Sequence, residues 1–197
     1  MPKLVSTFAA ATTFCAAVHA PPTAASDLSD LDIIKKAVST GLLDRATAAL
    51  WVKDPKLRRQ IPVRGRTEIS KDRLAGSRTV QTKQVTRYFE NWLGNRILSN
   101  TLTKRWCYDG VKVCGDISSS VSRWKAGWAL TWTWHRVDPD DKQDYYYTYQ
   151  DRANGGHKTR RVAVWHAFGT PDAACVQLHI WSHYDGTSTP TGSSSNC

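Results

Sequence analysis

Tyrosine and tryptophan are the side chains of this sequence with the most to offer a partner. Eight of the nine Trp and all seven Tyr lie in residues 79–197, while the whole chain has four Phe and one Met. Each couples a large apolar body to a polar handle, which suits a surface that is apolar and wet at once. In Tyr145-Tyr146-Tyr147-Thr148-Tyr149, strand spacing puts Tyr145, Tyr147 and Tyr149 on one face and Tyr146 on the other. A flat row of rings on a sheet can stack on sugar rings, with the hydroxyls hydrogen-bonding at the edge. Gln177, His179, Trp181 and His183 share one face of a later strand in the same way. Tyr145, Tyr147, Tyr149 and Trp181 are therefore the ligand-binding candidates. The competing role for any one ring is to fill a thin sandwich core. Trp128, Trp132 and Trp134, which share one parity with Leu130, read as such a core face.

Catalytic chemistry has fewer carriers. His179 and His183 are spaced to converge on a metal or to serve with an Asp in hydrolysis, and His135 or His166 could add a third ligand. Two His on a strand more commonly form a polar exposed face, so no metal and no cofactor is assigned. Glu68 and Glu90 are the only glutamates, and Asp138, Asp140, Asp141 and Asp144 cluster where a turn itself calls for Asp. The sequence has no G-x-S-x-G, H-E-x-x-H or P-loop motif. His179 and His183 are the catalytic candidates of an otherwise non-enzymatic reading.

The charge is concentrated. The 197 residues carry a formal +10, and residues 53–112, with fifteen basic and five acidic groups, account for all of it. Arg58, Arg59, Arg64, Arg66 and Arg73 are candidate contacts to an anionic polymer. The alternative is a solvated basic linker. No nucleic-acid motif accompanies the run.

Compartment follows from the first residues and the cysteines. Lys3, the uncharged stretch Leu4–Val18, Pro21-Pro22 and the small Thr23-Ala24-Ala25 read as a secretory signal over residues 1–25. Without Cys15, four cysteines remain: Cys107, Cys114, Cys175 and Cys197. In an oxidising compartment these imply two disulfides with three possible pairings. Cys107 with Cys114 across a short hairpin, and Cys175 with Cys197, is the preferred one. With no C-x-x-C pair, zinc is not indicated.

These residues need a scaffold, and the sequence outlines one. At 41% hydrophobic and 22% charged, the chain is too apolar to be disordered, and it is too short for two full-sized domains. It contains no run of eighteen apolar residues, so no transmembrane anchor is expected. Residues 26–61 read as a helical segment. Ser29 with Asp32 forms a capping-box-like start, Leu31, Ile34 and Val38 recur at helical spacing, and Gly41 stops the helix. Asp44 caps a second helix with Ala48, Trp51 and Val52 as its apolar face, and Asp54-Pro55 starts a short third. Residues 62–78 read as a basic linker and 187–197 as a Ser/Thr/Gly-rich tail. Between them, over 79–186, the period changes to two, with turn signals at Tyr108–Val111, Asp138–Asp141, Asn154–Gly156, Gly169–Asp172 and Asp185-Gly186. Strands without intervening helices give a mainly β fold, an antiparallel β-sandwich (jelly-roll-like or barrel) with a short helical N-terminal segment.

The block Lys104-Arg105-Trp106-Cys107-Tyr108-Asp109-Gly110, followed by Val113 and by Gly127-Trp128, resembles a pattern in small secreted actinobacterial proteins of unknown function. Those carry a Trp-Cys-Tyr-Asp-Gly hairpin and a Trp-rich β-domain, and the similarity spans about residues 79–185. The resemblance implies secretion and a β-sandwich and transfers no catalytic residue. Cys114 departs from the pattern, so no disulfide layout is carried over.

The expectation is a secreted, non-catalytic binding protein for extracellular polysaccharide or cell-envelope polymer. Two rivals remain. One is a small secreted hydrolase using His179, His183 and an Asp; the other is a toxin-like β-domain masked by the helical segment until cleavage within 62–78.

Overall fold

Ser29 opens the first helix as its spacing predicts. Its Oγ accepts from the Asp32 backbone N–H and donates to the Asp32 carboxylate. The computed structural model describes residues 28–70, 73–74, 80–115, 117–170 and 173–197. The proposed signal segment 1–25 lies outside the described residues, as do Lys71, Asp72 and 75–79 of the basic run. Helix α1 spans Asp30–Ser39, α2 Arg45–Trp51 behind its Asp44 cap, and α3 Pro55–Arg58 behind Asp54. Gly41 leaves α1 with φ +71°, and a Cβ there would meet the Ser194 carbonyl oxygen at 2.7 Å. The buried stripe of α1 is Ile33 and Ala37; Leu31 and Val38, expected inside, point to solvent. The α2 face is the expected one, with Ala48, Trp51 and Val52 buried.

Among the described residues the remainder forms two antiparallel sheets. The first runs β1(Arg64–Ile69), β3(Val80–Glu90), β4(Arg96–Cys107), β5(Ser118–Lys125), and the short β2(Arg73–Leu74) also pairs with β3. The second runs β10(Ser188–Asn196), β9(Ala173–His183), β8(Arg152–Ala167), β6(Trp132–Val137). Strand β7(Gln143–Tyr149) pairs with the first half of β8, and β6 with its second half. The sheets pack face to face as a sandwich, with inward side chains at every second position.

Two segments depart from the sequence reading. Within the 62–78 linker, Arg64–Ile69 forms a strand in register with β3 from Arg64↔Glu90 to Ile69↔Val85. Its outward residues are charged, which hides the alternation. The 187–197 tail forms β10, paired with β9 from Ser188↔Ser182 to Asn196↔Ala174. The disulfides are Cys107–Cys114 and Cys175–Cys197.

The interior changes character along its length. At one end Ile33, Trp51 and Ile61 from the helical segment join Phe89, Leu98, Trp132 and Trp165 from the sheets in one apolar cluster. Trp51 and Trp132 meet edge to face at 6.0 Å, and Trp132 Nε1 donates to the Gln60 carbonyl at 3.0 Å. At the other end polar groups enter the interior beside Trp106 and Ile180: Lys104 on β4, His157 and Thr159 on β8, and Ser182 on β9, all buried. Trp128 and Leu130 precede β6 in a turn and stand 43% and 76% exposed, so the expected core parity holds only from Trp132 onward.

Candidate functional site

Strand alternation on β8 sends His157 inward and Lys158 outward, and the two faces differ in chemistry. On the outer face, the register aligns Tyr145 of β7 with Lys158 and Lys158 with Trp181 of β9. Lys158 Nζ sits 5.5 Å from the Tyr145 ring centre and 5.4 Å from that of Trp181, within cation–π range of both. Beyond Trp181, His179 stacks on it nearly parallel, with 5.2 Å between centroids and 9° between planes. The result is a strip from β7 to β9 in the order Tyr145, Lys158, Trp181, His179. Tyr145 is 47% exposed. Arg160 flanks the strip, donating to Asp141 at 2.8 Å and to Gln177 Oε1 at 3.3 Å. Burial, with Lys158 and Arg160 nearby, holds the His179 imidazole below its ordinary pKa, so it is neutral near pH 7. Its buried Nδ1 has no hydrogen-bond partner.

Tyr147 and Tyr149 lie farther along the same face in a packed cluster. The Tyr147 ring rests on Gly156, where any Cβ would overlap it. Burial first, then Tyr149 and Tyr145, push the Tyr147 phenol up to about 12, so it stays protonated. Its hydroxyl shares a hydrogen bond with Nδ1 of His183 at 3.1 Å, and burial, ahead of the nearby charges, holds that imidazole below its ordinary pKa. Tyr149 stacks on the same imidazole at 3.8 Å. Arg152 lies 4.3 Å over the Tyr184 ring, and the Tyr184 hydroxyl donates to Gln150 at 2.6 Å.

The inner face carries a group that sequence reading missed. Lys104 is fully buried, and its Nζ donates to the carbonyls of His157 at 2.7 Å and Ile180 at 3.3 Å and meets His157 Nδ1 at 3.1 Å. Three acceptors match the three N–H of an ammonium, while burial pushes its pKa down to about 7. Burial and the adjacent Lys104 depress His157 to about 4, so the neutral imidazole presents Nδ1 as acceptor. This contact joins the two sheets. Next to it Arg161 donates to Asp144 at 2.7 Å and to Ser119 at 2.6 Å.

All four ligand-binding candidates thus lie on one outer face. Tyr145, which is exposed, and the half-buried Trp181 belong to the strip, and the half-buried Tyr147 and Tyr149 form the cluster beside it. Lys158 is the member the sequence did not single out, because both parities of His157-Lys158-Thr159-Arg160-Arg161 are polar.

The catalytic candidates are not brought together. His179 packs on Trp181 and His183 between Tyr147 and Tyr149, and neither hydrogen-bonds to a carboxylate among the described residues. His135 and His166 meet each other instead, at 4.9 Å edge to face. No group of three His, Cys, Asp or Glu among the described residues is arranged to hold a metal ion.

The polyanion candidates are partly neutralised within the chain. Arg58 pairs with Asp30 at 2.6 Å, and Arg64 and Arg66 flank Glu90 at 3.7 and 3.4 Å. Arg59 is exposed and Arg73 lies in β2.

No helix among the described residues is long and apolar enough to cross a membrane. No family model matches the chain, and neither a curated protein nor a solved structure matches it.

Proposed function

We propose that this chain is a secreted, non-catalytic binding protein that engages an extracellular polysaccharide or cell-envelope polymer through the outer face of its second sheet. The observation that carries this reading is the strip Tyr145, Lys158, Trp181, His179. Its rings are fixed by register and by each other, so little side-chain entropy is lost when a flat partner lands on them. Sugar C–H groups pack on the exposed Tyr145 ring and against the edge of Trp181, which His179 and Lys158 hold in place. Lys158, between the rings, forms no ion pair among the described residues that would compete with a hydroxyl, carboxylate or phosphate of the polymer, and Arg160 and Gln177 supply further polar groups alongside. Two disulfides fit an oxidising compartment.

The rival readings find less support. The hydrolase reading needs His179 or His183 free and oriented by a carboxylate, and both imidazoles are engaged by aromatic rings. The masked-toxin reading needs the helical segment to leave, yet Ile33, Trp51 and Ile61 belong to the core that covers Trp132.

The test is retention of the purified protein on insoluble polysaccharides and cell-wall preparations at low and high salt. Retention that persists in high salt and is lost in Trp181→Ala and Tyr145→Ala supports the platform. Retention that vanishes with salt and is unaffected by those changes moves the partner to the basic residues of 53–112. Absence of retention under both conditions overturns the binding reading.

A further inference from the structure

The end of the sandwich covered by the helical segment has a concavity separate from the outer-face strip. It is a cleft of about 710 Å³ between α3, the β3–β4 turn and the β5–β6 connection. That size falls within the range of small-molecule sites, about 300–1,000 Å³. Its walls include Leu57, Leu93, Trp128 and Leu130. Leu93, Trp128 and Leu130 are 39%, 43% and 76% exposed and line this one cleft together.

The floor is polar but already satisfied. Gln60 Oε1 accepts from the Thr131 backbone at 2.9 Å and from the Thr131 hydroxyl at 2.6 Å. Asn91 donates to the Arg59 carbonyl at 2.9 Å and accepts from the backbone of Leu93 and Asn95. These bonds fix the floor and ask nothing of an occupant, whose body must therefore match the apolar walls. The rim supplies the charge: Lys56 and Arg59 line the cleft, no Asp or Glu does, and neither cation is in an ion pair among the described residues. Asp54, the acid nearest them in sequence, is engaged in capping α3 through the backbone of Lys56 and Leu57.

From apolar walls, an internally bonded floor and two unpaired cations at the rim, we infer that the cleft binds an anionic amphiphile, its acyl or alkyl body against Leu93, Trp128 and Leu130 and its carboxylate or phosphate head at Lys56 and Arg59. This inference is independent of the sugar platform.

The experiment is calorimetric titration of the intact protein with dodecyl phosphate below its micelle concentration, beside dodecyl maltoside, which has the same tail and a neutral head. Saturable one-to-one binding of the phosphate, at least tenfold tighter than the maltoside, is expected. Leu130→Asp should abolish it, and Lys56→Glu with Arg59→Glu should weaken it tenfold or more. All three side chains are exposed, so unchanged denaturation midpoints will show that the variants fold. Co-sedimentation with phosphatidylglycerol vesicles tells the sources apart. Vesicle binding lost in the same variants assigns the site to a bilayer lipid, and monomer binding alone assigns it to a free amphiphile. No saturable binding, equal affinity for the two heads, or binding that survives both variants overturns the inference.

Discussion

Lys104 and Lys158 carry the same ammonium to opposite faces of the second sheet and are held by opposite means. Lys104, reaching in from β4, is fixed by two backbone carbonyls and an imidazole nitrogen, directional acceptors that take up its N–H groups. Lys158, on the outer face of β8, lies between two aromatic rings, whose attraction for the cation requires no particular N–H direction. The first lysine has nothing left for a partner; the second is positioned without being consumed. The difference separates a side chain that builds the protein from one that meets its ligand, and two Lys codons give no hint of it.

The largest expected effect comes from breaking the inner lysine. Lys104→Ala leaves a cavity and removes the ammonium from the His157 and Ile180 carbonyls, of which the first keeps the Ser182 hydroxyl, and should lower stability by about 3 kcal/mol in urea denaturation. The second effect is on pH dependence. His157, His179 and His183 have folded pKa values depressed below the unfolded 6.5, so the unfolded chain binds more protons there. Stability is lost as pH falls from 6.5 towards 4, the value for His157. Lys104 repeats the pattern higher. With its folded pKa about 7 against 10.5 unfolded, stability rises between those values, by roughly 1 kcal/mol per pH unit or less. Denaturation midpoints at pH 4, 6.5, 7.5 and 9.5 will show both rises; Lys104→Met should abolish the upper one and, because Lys104 also helps depress His157, shrink the lower one.

On the outer face, Trp181→Ala should weaken polymer retention about tenfold, roughly 1.4 kcal/mol, with little change in midpoint. Lys158→Gln should weaken it about threefold, with a smaller salt dependence than the native protein shows. The smallest effect is expected on the first sheet at Ser120, which sits with Ser122, Thr101 and Thr103 on an outer face where Trp124 is the exposed ring. There Ser120→Ala should change stability by less than about 0.5 kcal/mol and leave retention unchanged. A retention loss there equal to that of Trp181→Ala would remove the contrast between the faces.

Much of the scaffold was legible because local chemistry specified it. Ser29, Asp44 and Asp54-Pro55 placed three helix starts, and strand alternation gave the sandwich and one shared face for Tyr145, Tyr147 and Tyr149. What stayed hidden depends on partners distant in sequence. Lys104 sits in Thr103-Lys104-Arg105, which reads as a solvated basic run, and its acceptors come from residues 157 and 180 on the other sheet. Strand β1 was hidden by outward Arg64, Arg66 and Glu68, and β10 by a Ser/Thr/Gly composition with weak strand preference. Spacing alone also could not divide the tyrosines into an open pair member and a packed one. That division depends on Gly156, which offers the Tyr147 ring a bed that no other residue would.

Cys175–Cys197 pins the far end of β10 to β9. Its composition favours strand weakly, so the covalent staple adds to the β9 ladder and to the Ser194–Thr40 and Thr67–Gly192 hydrogen bonds in holding β10 in place. Cutting the staple by reduction would let β10 lift away and uncover the hydrogen-bonding edge of β9, a strand rich in Val, Leu, Ile and Trp. Such an edge is a template for pairing with another chain. Reducing conditions would thus first produce self-association, well before the sandwich itself unfolds.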